Sequence, residues 1–208
     1  MSRLVYNKKK EQQRYRNMVN NAQGHSFENY VYAGCISYQM RKIAYIQKTP
    51  EPFRTLHKEP KGRALVQFTG NAEPDFKGCL YDGRMIVFET KYTSTDKIKQ
   101  AALTEYQANN LEIYSNFGGL AAVCVSIKDR FYFVPYSIWQ SMKEIYGRKY
   151  LNTVDLEPFR VQFNGAVLFL DYVYSEEQQL AGLNLPPEVS ASAEDVLHTA
   201  HKAVKRQR

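Results

Sequence analysis

The sequence predicts an α/β protein: a mixed β-sheet flanked by helices. Three observations predict it. FENYVYAGCISYQM repeats apolar groups at helical spacing. Asp82-Gly83 lies between two apolar stretches, which marks a β-hairpin. LAAVCVSI is a continuous apolar run, as in a strand buried on both faces, and RFYFVPY follows it at once. The predicted order is helix, strands in hairpins, helix, strand, strand, helix. In such sheets, sites gather at strand ends beside the flanking helices.

Each element has its own signal. Residues 1–22 are polar and basic and read as a flexible arm. A helix over about 26–41 would place Phe27, Tyr30, Val31, Gly34 and Tyr38 on one stripe, with Ser26 near its N-cap and Glu28 in its first turn. IAYIQK (43–48) reads as a short strand. TPEPFRTLHKEPKG (49–62) holds three prolines together with Arg54, His57, Lys58 and Lys61, and no compact element fits it. It is either a surface loop or a protruding arm. Ala64–Phe68 is a short strand, and residues 75–80 and 84–91 form the hairpin. Thr95 or Asp96 can cap a helix running to about Asn116, with Ile98, Ala102, Tyr106, Asn110 and Tyr114 turned inward and Gly118-Gly119 ending it. Residues 120–127 and 130–136 form strands joined through Lys128-Asp129, and Ser137–Tyr146 a short amphipathic helix. FRVQF and AVLFLDYV surround Asn164-Gly165 as strand-like pieces. From Ser175 the chain turns polar, with a helical pattern in SAEDVLHTAHKAVKR. His198 and His201 share a helix face there, but no third ligand accompanies them. The reading divides the chain into an arm (1–22), a folded domain (23–174) and a polar tail (175–208).

Composition narrows the function. Of 208 residues, 44% are hydrophobic, enough for a sizeable core. No run approaches the roughly 18 apolar residues of a membrane helix, and the N-terminus lacks a secretory h-region. Cys35, Cys79 and Cys124 are odd in number, without CxxC spacing, and read as reduced core thiols of a cytoplasmic protein. The net charge of +7 favours a polyanionic partner, of which nucleic acid is the commonest. Arg3, Lys8, Lys9, Lys10, Arg14 and Arg16 stand against the lone acid Glu11 in residues 3–16, a segment suited to lie along phosphates.

The segment EPDFKGCLYDGRMIVFETK carries the chemistry. Pro74-Asp75 precedes Glu89-Thr90-Lys91, which ends an apolar strand. Strand alternation points Glu89 and Lys91 to one face. Two carboxylates can hold a divalent cation, and a neighbouring lysine can activate water or offset phosphate charge. A two-residue Asp82-Gly83 loop would turn Asp75 away from Glu89. A three-residue loop, Tyr81-Asp82-Gly83, puts glycine at the left-handed position of a bulged turn and sets Asp75 opposite Glu89. The chemistry requires the second register. Glu28 and Gln107, on the two flanking helices, are candidates to converge on this pair.

The residues also resemble the RecU-type Holliday junction resolvases, a branch of the PD-(D/E)xK nuclease superfamily. The resemblance runs from about Gly24 to Tyr172. It rests on Gly24–Glu28, on IAYIQKTPEP, on Asp75-Phe76-x-Gly78, on Ile86–Lys91, on Gln107 followed by Gly118-Gly119, and on the aromatic strand Arg130–Pro135. It implies a restriction-endonuclease-like core and a Mg²⁺-dependent endonuclease, with Mn²⁺ as a substitute. Asp75 and Glu89 would bind metal with the Thr90 carbonyl, Lys91 would be the catalytic lysine, and Glu28 and Gln107 would complete the site. Residues 50–73 would be a stalk entering a four-way DNA junction, in a homodimer with its stalks together. Phe53, Arg54, His57, Lys58, Lys61, Arg63 and Phe68 would meet DNA there. Two features depart from the family pattern: the insertion is short and differently charged, and Thr104 stands where a histidine often precedes the glutamine. The rival readings are the same core acting on duplex ends, forks or restriction sites, a non-catalytic DNA-binding protein on the same fold, and a protein-interaction module.

Overall fold

A computed structural model describes residues 3–70 and 73–181. In chain order its elements begin with α1 (Arg3–Met40), β1 (Ala44–Lys48), β2 (Phe53–Lys58), β3 (Ala64–Phe68), β4 (Phe76–Leu80), β5 (Met85–Thr93) and β6 (Lys97–Lys99). Then come α2 (Glu105–Asn116), β7 (Leu120–Ile127), β8 (Arg130–Pro135), α3 (Tyr136–Gln140), α4 (Met142–Tyr146), β9 (Tyr150–Asn152) and α5 (Thr153–Leu156). β10 (Val161–Phe163), β11 (Val167–Tyr172) and α6 (Glu176–Ala181) follow. The proposed terminal helix, with His198 and His201, lies outside the described residues.

The main sheet has five strands in the order β1-β4-β5-β7-β8. Only the β5–β7 pair is parallel, so the sheet is mixed as expected. β7 is buried along its whole length, which explains its unbroken apolar run. α2 makes the crossover between β5 and β7 and packs on both. α1 and β11 cover the opposite face. There an aromatic cluster centres on Phe88, which stacks on Phe76 at 5.0 Å and meets Phe169 at 4.8 Å and Phe133 at 5.3 Å. Tyr38 from α1 packs on Phe169, and its hydroxyl accepts the Leu170 N–H at 2.8 Å. These rings bury large area in preferred edge and stacked geometries and fix β5 at the centre of the sheet.

Several elements depart from the sequence reading. α1 starts at Arg3, so the basic stretch expected to be a flexible arm is helical. Residues 3–23 are rich in Lys, Arg and Gln and contain neither glycine nor proline, so nothing stops the helix before Gly24. Ser26 is therefore no N-cap; its hydroxyl donates to the Ala22 carbonyl within the helix. Glu28 sits in mid-helix and complements no helix terminus. The helix expected from Thr95 begins only at Glu105, because Lys97–Lys99 pairs with β9 and Thr104 supplies the cap. Its buried residue is Leu111; Ile98 is buried from a strand, and Tyr106 is exposed. The helix expected over Ser137–Tyr146 breaks at Ser141. Cys35 and Cys124 are buried free thiols, and burial pushes Cys35 up to about 12, so it is unreactive. Cys79 is exposed, against expectation, because β4 is covered less completely on that face.

The proline-rich segment is an ordered hairpin rather than a loop. β2 and β3 pair antiparallel, Phe53 with Phe68 and Arg54 with Gln67, as a separate two-stranded sheet. Pro50, Pro52 and Pro60 stay outside the ladder, where their missing N–H costs nothing. Lys61 and Gly62 turn the chain with left-handed φ of 64° and 75°.

At Gly34 α1 approaches β11 closely: a Cβ there would lie 2.1 Å from the Val167 carbonyl oxygen. Alanine is favoured over glycine within a helix by about 1 kcal/mol. The backbone clash should outweigh that gain, so Gly34→Ala should destabilise the protein by about 1–3 kcal/mol in denaturant titration. An increase in stability would show that α1 is not seated on β11 in this way.

Candidate active site

The β4–β5 turn decides whether a site exists. Phe76 pairs with Phe88, Gly78 with Ile86 and Cys79 with Met85. The Leu80 N–H donates to Arg84 O at 2.8 Å, the Gly83 N–H donates to Leu80 O at 2.9 Å, and Gly83 has φ +84°. This is the three-residue loop that the chemistry required. Asp82 Oδ1 accepts the Arg84 N–H, and Arg84 Nε donates to Gly118 O at 2.7 Å, tying the turn to the end of the α2 connection. One residue beyond the ladder, Asp75 falls opposite Glu89. Its backbone carbonyl faces β1, where it accepts the Thr49 N–H at 2.8 Å. Asp75 and Glu89 thus form a non-hydrogen-bonded pair, the position at which facing side chains lie closest.

β4 begins only at Phe76, which leaves the Thr90 N–H beyond the antiparallel ladder. The Asp75 carboxylate takes it: Oδ2 accepts both the Thr90 N–H (2.8 Å) and the Thr90 hydroxyl (2.7 Å). Thr90, predicted only as a carbonyl ligand, therefore also orients Asp75. Glu89 is buried, with 1% exposure. Burial, then the negative charge of Asp75, push its carboxyl up to about 8, while Lys91 pulls the other way.

Gln107 enters from the first turn of α2. Its Nε2 donates to Glu89 Oε2 at 2.6 Å and its Oε1 accepts from Lys91 Nζ at 3.0 Å. Lys91 and Glu89 stand 3.8 Å apart, on one face as alternation requires. Asp75, Glu89, Thr90, Lys91 and Gln107 therefore converge. Glu28 does not join them. It pairs with Lys48 at 2.5 Å and lies 3.8 Å from His25, on the α1 side of the sheet. Lys48 had no role in the sequence reading, although strand alternation from Ile46 already set it apart from Gln47. Phe53, Arg54, His57, Lys58, Lys61, Arg63 and Phe68 are all exposed on the β2–β3 hairpin, away from the carboxylates in sequence and sheet. Arg54 is tied to Gln67 Oε1. Lys8, Lys9 and Lys10 lie on the N-terminal part of α1.

Among the described residues, no three His, Cys, Asp or Glu side chains cluster closely enough to cage a metal. Two opposed carboxylates, one held near neutrality by the other's charge and by burial, nonetheless fit a hard divalent cation of the magnesium type. Such ions keep several waters and use one or two carboxylates plus substrate phosphate. The pair does not fit a closed structural zinc site, which needs four protein ligands.

A mixed sheet flanked by helices, with an acid and a lysine on its central strand and a second acid facing them from the start of the neighbouring one, defines the class of structure. Residues 22–175 match the sequence profile of RecU, recombination protein U, and the chain belongs to that family. No curated protein sequence matches it significantly. Among solved structures, Archaeoglobus fulgidus Hjc, a Holliday junction resolvase from an archaeal hyperthermophile, aligns with 12% identity and a TM-score of 0.41, over 68% of this chain and 92% of that one. No helix among the described residues is long and apolar enough to cross a membrane.

The electrostatics have a measurable consequence in chelator-treated protein. Glu89 ionises near 4.5 in the unfolded chain and near 8 when folded. The native state therefore holds the extra proton in that window. The stabilisation from protonated Glu89 is complete below about pH 4.5 and lost as pH rises toward 8, on the order of 3 kcal/mol by pH 7. Glu89→Gln can keep the Gln107 bond through its own carbonyl while removing the charge. At pH 8 without metal it should raise the melting temperature by roughly 10 °C, and at pH 4 by nothing. An unchanged or lower melting temperature at pH 8 would contradict the buried carboxylate pair.

Proposed function

We propose that this chain is a Mg²⁺-dependent, structure-selective DNA endonuclease that resolves four-way junctions by paired, symmetric incisions. The observation that carries the proposal is the convergence of Asp75, Glu89 and Lys91, set by the β4–β5 register, in a member of the RecU family. The presence of all three groups argues against a non-catalytic DNA-binding protein.

Asp75 and Glu89, with the Thr90 carbonyl, would hold the cation. When bound, it supplies Lewis-acid stabilisation of charge on the scissile phosphate. Thr90 orients the Asp75 carboxylate through two hydrogen bonds. Lys91 offsets the charge that accumulates as a water oxygen adds to phosphorus and the 3′ oxygen leaves, giving 5′-phosphate and 3′-hydroxyl ends. Gln107 holds Glu89 and Lys91 in place. Glu28, neutralised by Lys48, acts at most from the α1 side of the sheet.

Two strands cut symmetrically need two sites, so a two-fold homodimer is the natural form. The β2–β3 hairpin supports this reading. Phe53, Leu56, Leu65 and Phe68 are each more than half exposed, and a lone two-stranded hairpin is marginal in water. Covering by the junction and by a second hairpin would remove that exposure. The nuclease unit is placed at residues 23–174, with residues 175–208 as a tail, in a protein acting in the cytoplasm.

Glu89→Gln, Asp75→Asn and Lys91→Ala should each lower Mg²⁺-dependent cleavage of a labelled four-way junction by at least about 100-fold. None should weaken metal-free junction binding, because affinity comes from phosphates spread over a wide surface. Near-normal cleavage by Lys91→Ala would remove lysine from the mechanism. Failure of the wild-type chain to cut the junction while cutting duplex ends or forks would move the substrate, not the chemistry.

Selectivity is assigned to the hairpin, because phosphate contacts position without specifying. Arg54, His57, Lys58, Lys61 and Arg63 would meet phosphates around the junction opening, and Phe53 and Phe68 would pack on its exposed bases. Replacing residues 54–63 with a short Gly/Ser linker leaves the carboxylates untouched. That variant should still fold and bind DNA but lose its preference for junction over duplex in competition binding at fixed salt. Retained preference would place selectivity elsewhere in the protein.

A further inference from the structure

Gln107 is held from two directions. Its Oε1 accepts from Lys91 Nζ (3.0 Å) and from the Thr104 backbone N–H (3.2 Å), and its Nε2 donates to Glu89 Oε2 (2.6 Å). Thr104 Oγ1 in turn accepts the Gln107 backbone N–H at 3.2 Å, which completes a capping box at the start of α2. Reversing the carboxamide would set its NH₂ against an ammonium and an N–H, and its carbonyl against a carboxylate. All three contacts would then be unfavourable, so one orientation survives.

We infer that Thr104 is a positioning residue: it locks the Gln107 carboxamide as a spacer that keeps Lys91 and Glu89 from collapsing onto each other. A direct ammonium–carboxylate hydrogen bond would close to about 2.7–2.9 Å. Here the two groups stand 3.8 Å apart, with the amide serving both. A collapsed pair would set a full ammonium charge on the carboxylate that a cation needs, whereas the neutral amide bonds the same Oε2 without opposing a cation's charge. Thr104 touches no reacting atom; it acts only through Gln107. The capping box thus links the start of a helix to the spacing of the site. The inference rests on the nuclease reading above for its catalytic consequence, though not for the lock itself.

The test uses the full chain and three substitutions. Thr104→Ser keeps the hydroxyl and the N–H. Thr104→Pro deletes both donor and acceptor at a residue whose φ of −68° proline can adopt, following an extended Leu103. Gln107→Glu keeps a capping side chain but replaces the donor to Glu89 with an acceptor. The first readout is the nitrogen–proton NMR signal of the Gln107 side-chain amide, assigned by its loss in Gln107→Glu. The second is junction cleavage in Mg²⁺, separated into kcat and KM. Thr104→Pro should move the amide signal toward that of free glutamine and lower kcat by roughly three- to tenfold with KM unchanged. Thr104→Ser should restore both.

An unmoved amide signal in Thr104→Pro would overturn the lock. A moved signal with wild-type kcat would overturn the spacer role. A wild-type chain that cleaves nothing would overturn the nuclease reading instead, while the amide signal still reports on the lock. If Thr104→Pro does not fold, replacing the Thr104 amide by an ester, with the α-hydroxy analogue of threonine, deletes only the N–H that holds the Gln107 carboxamide and carries the same two readouts with the same expected directions.

Discussion

The register of β4 on β5 is the constraint on which the site depends. A strand's side chains alternate, so a slip of one residue would send Asp75 to the aromatic face beside Phe88 and leave Glu89 without its partner acid. Gly83 in a left-handed conformation, the Leu80–Arg84 bond and the Arg84–Gly118 tie hold the register at one end. The stacked Phe76–Phe88 pair holds it at the other, directly beside the carboxylates. Packing on one face of β5 thus positions chemistry on the other.

The site is built against its own stability. Burying a glutamate beside an aspartate is costly, and the fold offsets part of that cost with donors aimed at each acid: Thr90 for Asp75, Gln107 for Glu89. The balance is incomplete, which is why Glu89 is held so far above the usual carboxylate range. A cation between the acids would relieve the repulsion that the protein groups leave. Elements that sacrifice stability in this way mark functional positions more surely than satisfied pairs such as Arg148–Asp155, in which the acid is paired and caps a helix turn.

Much of this was legible in the sequence, for identifiable reasons. The sheet strands carry period-two or continuous apolar patterns, and Gly83 disclosed the turn. Together these specify the Asp75–Glu89 pairing. The helical patterns misled where a capping signal was assigned too early. Thr104-Glu105-Tyr106-Gln107 is itself a capping-box pattern, yet Thr95-Asp96 upstream resembles a cap as well, and only the pairing of β6 with β9 excludes it. The reach of Glu28 could not be read, because its partner Lys48 lies on a strand edge brought near by the fold alone. The β2–β3 hairpin was hidden by prolines, which sit just outside the ladder they seemed to forbid.

The central claim is that Asp75 and Glu89 together hold a divalent cation. Anomalous diffraction from crystals of the full chain soaked in Mn²⁺ tests it most directly. The account predicts one strong peak per chain in contact with both carboxylates and absent in Asp75→Asn. A peak bound elsewhere, or one that survives the loss of Asp75 unchanged, would contradict it.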